Sequence, residues 1–197
     1  QGISAGVNAL NHPENDGFLR DSATLAVVYV SDENDCSNDQ TLLDESDGSL
    51  CYEYDHALAS VADYINRYQL RKPEGRVVVS GIVGPEVSEG CDDSWPGHRY
   101  STVVEKLDGV EGNICESNYD DLMDDMGARI AGPVRVFQLS YAAIEETISV
   151  VVDGEEIPAD MDQGWNYDEA YWMVRFDGEY TPPPASRIEI NYVIGGS

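Results

Sequence analysis

Apolar residues fall along this chain in two rhythms. In the first, Ile3, Val7 and Leu10 share one helical face of QGISAGVNAL, and Pro13 and Gly17 break the helix. The run TLAVVYV at residues 24–30 reads as a buried strand. It is halted by Ser31-Asp32-Glu33-Asn34-Asp35-Cys36-Ser37, which is too charged to continue it. Leu58, Val61, Ala62, Ile65 and Tyr68 recur at helical spacing between residues 55 and 69, with Asp55 as a cap for the first turn and Pro73-Glu74-Gly75 as the stop. RVVVSGIVG at residues 76–84 is continuously apolar, as expected of a parallel strand covered on both faces. Thr102 and Glu105 form a capping-box pattern ahead of Val103, Val104 and Leu107, closed by Gly109 and Gly112. Ser117 is placed to cap a helix in which Leu122, Met126 and Ile130 share a face, before Gly132-Pro133 and a further strand, VRVFQLS, at residues 134–140. Strands and helices alternate, which is the α/β pattern.

Beyond Tyr141 the rhythm shortens to two. Ile148, Val150 and Val152 alternate, then Trp172, Val174 and Phe176, then Ile188, Ile190 and Tyr192. Asp153-Gly154 and Asp177-Gly178 are hairpin-type turn signals, and Pro182-Pro183-Pro184 is a rigid connection into the last strand. The expected organisation is an α/β unit over residues 1–140, with a partial, Rossmann-like open sheet, followed by a small antiparallel β appendage over residues 141–197. There is no internal repeat and no low-complexity tract.

Charge narrows the functional classes. The 197 residues carry 11 Lys and Arg against 38 Asp and Glu, a net charge of −27, while 42% are hydrophobic and suffice for a core. Such a chain repels phosphate backbones and anionic lipid headgroups, so neither nucleic acid nor a membrane surface is an expected partner. Cations and basic partners remain open. No apolar stretch is long enough to span a bilayer, and the opening residues lack a signal-peptide pattern. Cys36, Cys51, Cys91 and Cys115 show no Cys-x-x-Cys spacing. The favoured pairing is Cys36–Cys51 and Cys91–Cys115, each closing a Gly- and Asp-rich loop, and implying an oxidising location: extracellular, cell-surface or periplasmic.

The most informative element is the junction AVVYVSDENDCS, where Asp32 stands at the carboxyl end of a strand, the end at which open α/β sheets bind ligands. Asp32, Glu33 and Asp35, with the Ser31 and Ser37 hydroxyls nearby, offer the all-oxygen donors that Mg²⁺ or Ca²⁺ prefers. The plain alternative is a solvated acidic turn, since the whole chain is acidic. Asp120, Asp121, Asp124 and Asp125 read as a solvated helix face, and the spacing of Asp92, Asp93 and His98 matches no familiar transition-metal site. Gly81-Ile82-Val83-Gly84 lacks a phosphate-loop order. His12, His56 and His98 are scattered, no nucleophile elbow is present, and nothing in the sequence points to catalysis. Trp172 reads as core and Trp165, in GWNYD, as a loop residue that contacts a partner.

Taken in order, QGISAGVNAL, LAVVYVSDENDCS, VVVSGIVG, the cysteine segment with YDDLMDDMG, and VRVFQLS resemble the second half of a von Willebrand factor type A domain of the bacterial surface-protein variety. ISVVVDGEEIP, GWNYD, WMVRFDG and PPPASRIEINYV resemble the β appendage that follows such domains. The resemblance implies an adhesion function and a metal role for Asp32. The family's Asp-x-Ser-x-Ser motif has no counterpart before Asp32, so either the chain is part of a longer protein or its metal site is reduced. Without the early strands, strand 24–30 has an open edge that a companion chain or segment is expected to cover. The expected function is therefore a non-enzymatic, extracytoplasmic binding or adhesion module with a divalent-cation site. The rival is a structural subunit of a surface assembly that needs no metal.

Overall fold

The computed structural model describes residues 1–20, 23–38, 52, 55–72, 76–87, 91–183 and 186–195. The chain divides into two compact units, Gln1–Lys72 with Val77–Ile130, and Ala131–Ser197 with the short stretch Pro73–Arg76. The architecture is mixed α/β: one small parallel sheet in the first unit and antiparallel sheets in the second.

The first unit contains α1 (Gly2–Asn11), β1 (Leu25–Ser31), α2 (Val61–Gln69), β2 (Val77–Val83), α3 (His98–Lys106), β3 (Glu111–Asn113) and α4 (Asp120–Ala131, its last residue in the second unit). The sheet has the order β1-β2-β3, all parallel, with Leu25 opposite Val77 and Ser31 opposite Val83. Every residue of β2 is buried, as its continuous apolar run predicts. β1 is different. Leu25 and Tyr29 are buried, whereas Ala26, Val28 and Val30, which share the opposite face, are exposed. The expectation of a fully buried strand is corrected here: among the described residues β1 pairs only with β2, so it is an edge strand with one apolar face in solvent. Apolar composition alone does not distinguish a strand covered on both faces from one covered on a single face.

Local signals hold with small shifts. The helix expected from Asp55 begins with a short 3₁₀ turn at Asp55–Ala57, and α2 proper starts after Ser60. α3 starts earlier than its capping-box pattern implies, directly after Gly97. At the head of α4 it is Asn118, not Ser117, whose side-chain oxygen accepts from the Asp120 amide at 2.8 Å.

The second unit contains β4 (Val136–Gln138), β5 (Ser149–Val152), β6 (Glu155–Ile157), β7 (Asn166–Asp168), β8 (Met173–Arg175) and β9 (Ile188–Asn191). They form two antiparallel sheets, β4-β8-β7 and β6-β5-β9. The strand expected to close the α/β unit is thus β4, and it pairs antiparallel with β8 inside the second unit. A three-residue strand carries too little pattern to name its own neighbour. Asp153-Gly154 turns β5 into β6 with φ of 51° and 90°, the geometry of a tight hairpin. Asp177-Gly178 is no hairpin: it follows β8, and a Cβ on Gly178 would strike the carbonyls of Met161 and Asp162. The β7–β8 turn instead ends at Trp172, in the left-handed region at φ 54° and 40% exposed, which corrects its expected place in the core.

Candidate functional site

The junction after β1 is built from opposite commitments of neighbouring carboxylates. Asp32 and Glu33 are exposed, while Asp35 is wholly buried. The Ser31 hydroxyl closes a local turn, donating to the Glu33 carbonyl at 2.9 Å and accepting from its amide at 3.2 Å. The Trp95 amide donates to the Asp32 carbonyl at 2.7 Å, which fastens the loop after β2 to the exit of β1. That loop is also braced by a Cys91–Cys115 disulfide, one of the two expected pairings. Cys36–Cys51 lies outside the described residues, because Cys51 does.

Asp35 accepts four hydrogen bonds. Its Oδ1 takes the Ile3 amide at 3.0 Å and the Ser37 hydroxyl at 2.7 Å; its Oδ2 takes the Ser37 amide at 2.9 Å and Arg99 Nε at 3.2 Å. The Ile3 amide belongs to the first turn of α1, where unsatisfied donors favour an anion. Arg99 Nη2 donates to the carbonyls of Ala59 at 2.8 Å and Ser37 at 3.4 Å, so the guanidinium closes the site from the side of α3. A buried charge needs this degree of pairing to persist.

As placed, Asp35 is not available to a divalent cation, and the described residues do not converge on one. Asp35 has its lone pairs occupied and a guanidinium beside it, and Asp32 and Glu33 point into solvent. Among the described residues no three His, Cys, Asp or Glu side chains converge closely enough to hold a metal. Asp120, Asp121, Asp124 and Asp125 are exposed on α4, and His98 turns to Glu86, with Nδ1 2.8 Å from its carboxylate.

Behind the junction lies a cluster of tyrosines that the sequence reading did not single out. The Tyr29 and Tyr68 hydroxyls share a hydrogen bond, and the Tyr29 and Tyr100 rings lie 5.0 Å apart. Burial, with the Asp35 charge adding to it, raises all three phenols above their ordinary value, Tyr68 to about 12. Helix α1 crosses this cluster on glycines: a Cβ at Gly2 would collide with the Tyr100 hydroxyl, and one at Gly6 with that of Tyr68. Gly2 and Gly6 are one helical turn apart, a spacing visible in the sequence and the one signal from which close approach can be read.

On the outer side, Trp95 is 54% exposed and its ring centroid lies 5.4 Å from that of Tyr52. Tyr52 accepts from the Asn34 amide and donates to the Pro96 carbonyl, each at 3.2 Å. An exposed Trp95, backed by the half-buried Tyr52, is therefore tied through its backbone to Asp32 at the carboxyl end of β1.

Trp165, the expected contact residue, is corrected: it is buried, its indole Nε1 donates to the Ile157 carbonyl at 2.8 Å, and it packs with Val150, Val174 and Phe176. An aromatic flanked by loop residues satisfied its N–H by turning inward. Comparisons with protein-family models, curated proteins and solved structures find no match to this chain. No helix among the described residues is long and apolar enough to cross a membrane.

Proposed function

We propose that the chain is a protein-binding module, not an enzyme, whose contact element is the open edge and exposed face of β1. The observation that carries this reading is the combination of an edge that is unpaired among the described residues with Val28 at 46% and Val30 at 66% exposure on a seven-residue strand. A long, apolar edge is a template for another strand, and proteins blunt such edges unless they use them. The buried Asp35–Arg99 pair favours the metal-independent form of this function, a structural or docking subunit, over cation-dependent adhesion. The von Willebrand type A resemblance stays part of the proposal, as the origin of the sheet and its strand-end junction. The Cys91–Cys115 disulfide supports a place outside the cytoplasm, at the cell surface or in a periplasm.

The test is amide hydrogen exchange on the full chain mixed with a short peptide of alternating valine and threonine. Protection confined to Leu25–Ser31 supports the reading. Exchange in β1 that is unchanged at saturating peptide contradicts it.

A further inference from the structure

The open edge of β1 runs directly into chemistry of a different kind, and the two together describe a partner. Along the strand the exposed face is apolar: Ala26, Val28 and Val30. At its carboxyl end the exposed residues become Asp32, Glu33 and Trp95, and the Trp95 amide to Asp32 carbonyl bond ties the Trp95 backbone to the strand's exit. Neither carboxylate has a salt-bridge partner among the described residues. An aromatic face beside carboxylates attracts an organic cation twice over, through the ring quadrupole and through charge. A bare divalent ion gains little from the ring and needs more inward-pointing oxygens than are present.

We infer that the occupant of the β1 edge is an extended segment of a basic partner protein, apolar at alternate positions, whose Lys or Arg side chain is received by Trp95, Asp32 and Glu33 at the strand's carboxyl end. This rests on the reading of β1 as the contact edge and adds the chemistry of what docks there. The net charge of −27 argues in the same direction. It steers basic partners toward the chain and opposes pairing of the edge with a second copy of itself. The Tyr52 ring behind Trp95, bonded to Asn34 and Pro96, holds the platform in place before the partner arrives.

Two probes separate this inference from the reading beneath it: the alternating valine–threonine peptide ended with Lys-Arg, and the same peptide ended with Glu-Glu. The basic peptide is expected to bind roughly tenfold more tightly, from one cation–ring contact and one or two exposed ion pairs, and the preference should shrink at high salt. Trp95→Ala should reduce the preference roughly threefold, with an unfolding midpoint close to that of the parent because the ring is half-exposed. Equal binding of the two peptides, both protecting β1, overturns the cationic partner while leaving the edge reading intact. Failure of both to protect β1 overturns the edge reading and the inference with it. Protection of β1 that rises with protein concentration and no peptide identifies a second copy as the occupant and also overturns the inference.

Discussion

The Asp35 carboxylate and the Arg99 guanidinium meet at 3.2 Å with Asp35 fully buried, and through them the first turn of α1, the exit of β1, the Ala59 carbonyl and α3 are held together. Removing one partner strands the other's charge or lone pairs away from water. Arg99→Ala is therefore expected to cost about 3–5 kcal/mol in denaturant unfolding. The pair Asp35→Asn with Arg99→Met should cost less than the sum of its single changes, because neither charge is then left alone. Adding calcium, magnesium or a chelator should leave the parent's unfolding midpoint where it is. A midpoint that climbs with calcium places a cation at this junction and contradicts the fit derived for it.

Helix α1 depends on close approach. Gly6→Ala adds helix propensity of about 1 kcal/mol. It also drives a methyl group into the buried Tyr68 hydroxyl. The collision should win, giving a net loss of about 1–2 kcal/mol, because Tyr68 is fully buried and bonded to Tyr29 and has nowhere to move. Gly17→Ala tests a different cause. Among the described residues nothing lies near its Cβ position, and there its φ of 86° is what resists the change.

The tyrosine cluster sets an alkaline limit. Tyr29, Tyr68 and Tyr100 are held neutral in the folded chain, so the unfolded chain releases these protons more readily. Their stabilisation is whole below the ordinary phenol value of 10 and is lost as pH rises, through about 12 for Tyr68. Stability should be flat through neutral pH as far as these groups are concerned, then fall above pH 10 by on the order of 3 kcal/mol for Tyr68 alone. Replacing Tyr29 and Tyr68 together with Phe should flatten that fall, read as denaturant midpoints against pH. A parent that keeps its full stability to pH 12 contradicts the buried neutral cluster.

The sequence reveals those parts of the fold whose cause is local. The continuous run at β2, the Asp153-Gly154 hairpin and the burial of Ile65 and Tyr68 on one helix each follow from a pattern completed within a few residues. What it conceals depends on neighbours far along the chain. β4 reads as a strand, yet its partner β8 lies beyond a stretch with its own turn signals. Trp165 and Trp172 exchange their expected places because burial is decided by which face of a three-residue strand or turn meets the core. At the site, Asp35 is visible as an acid in an acidic run. That it alone turns inward depends on Arg99, sixty-four residues away, and on the amide of Ile3. In a chain with 11 basic residues against 38 acidic ones, a lone Arg beside Tyr100 on a short helix is the one sequence clue to a buried partner.

The central claim is that β1 offers an open edge, and single-residue amide exchange of the dilute, peptide-free chain tests it most directly, with calcium or with chelator. The β1 amides that face away from β2 are expected to exchange almost as freely as those of a loop, while their neighbours bonded to β2 and the amides of β2 itself stay protected, in both conditions alike. Strong protection along the whole of Leu25–Ser31 in the isolated chain means the edge is already covered, and contradicts its role as the docking element.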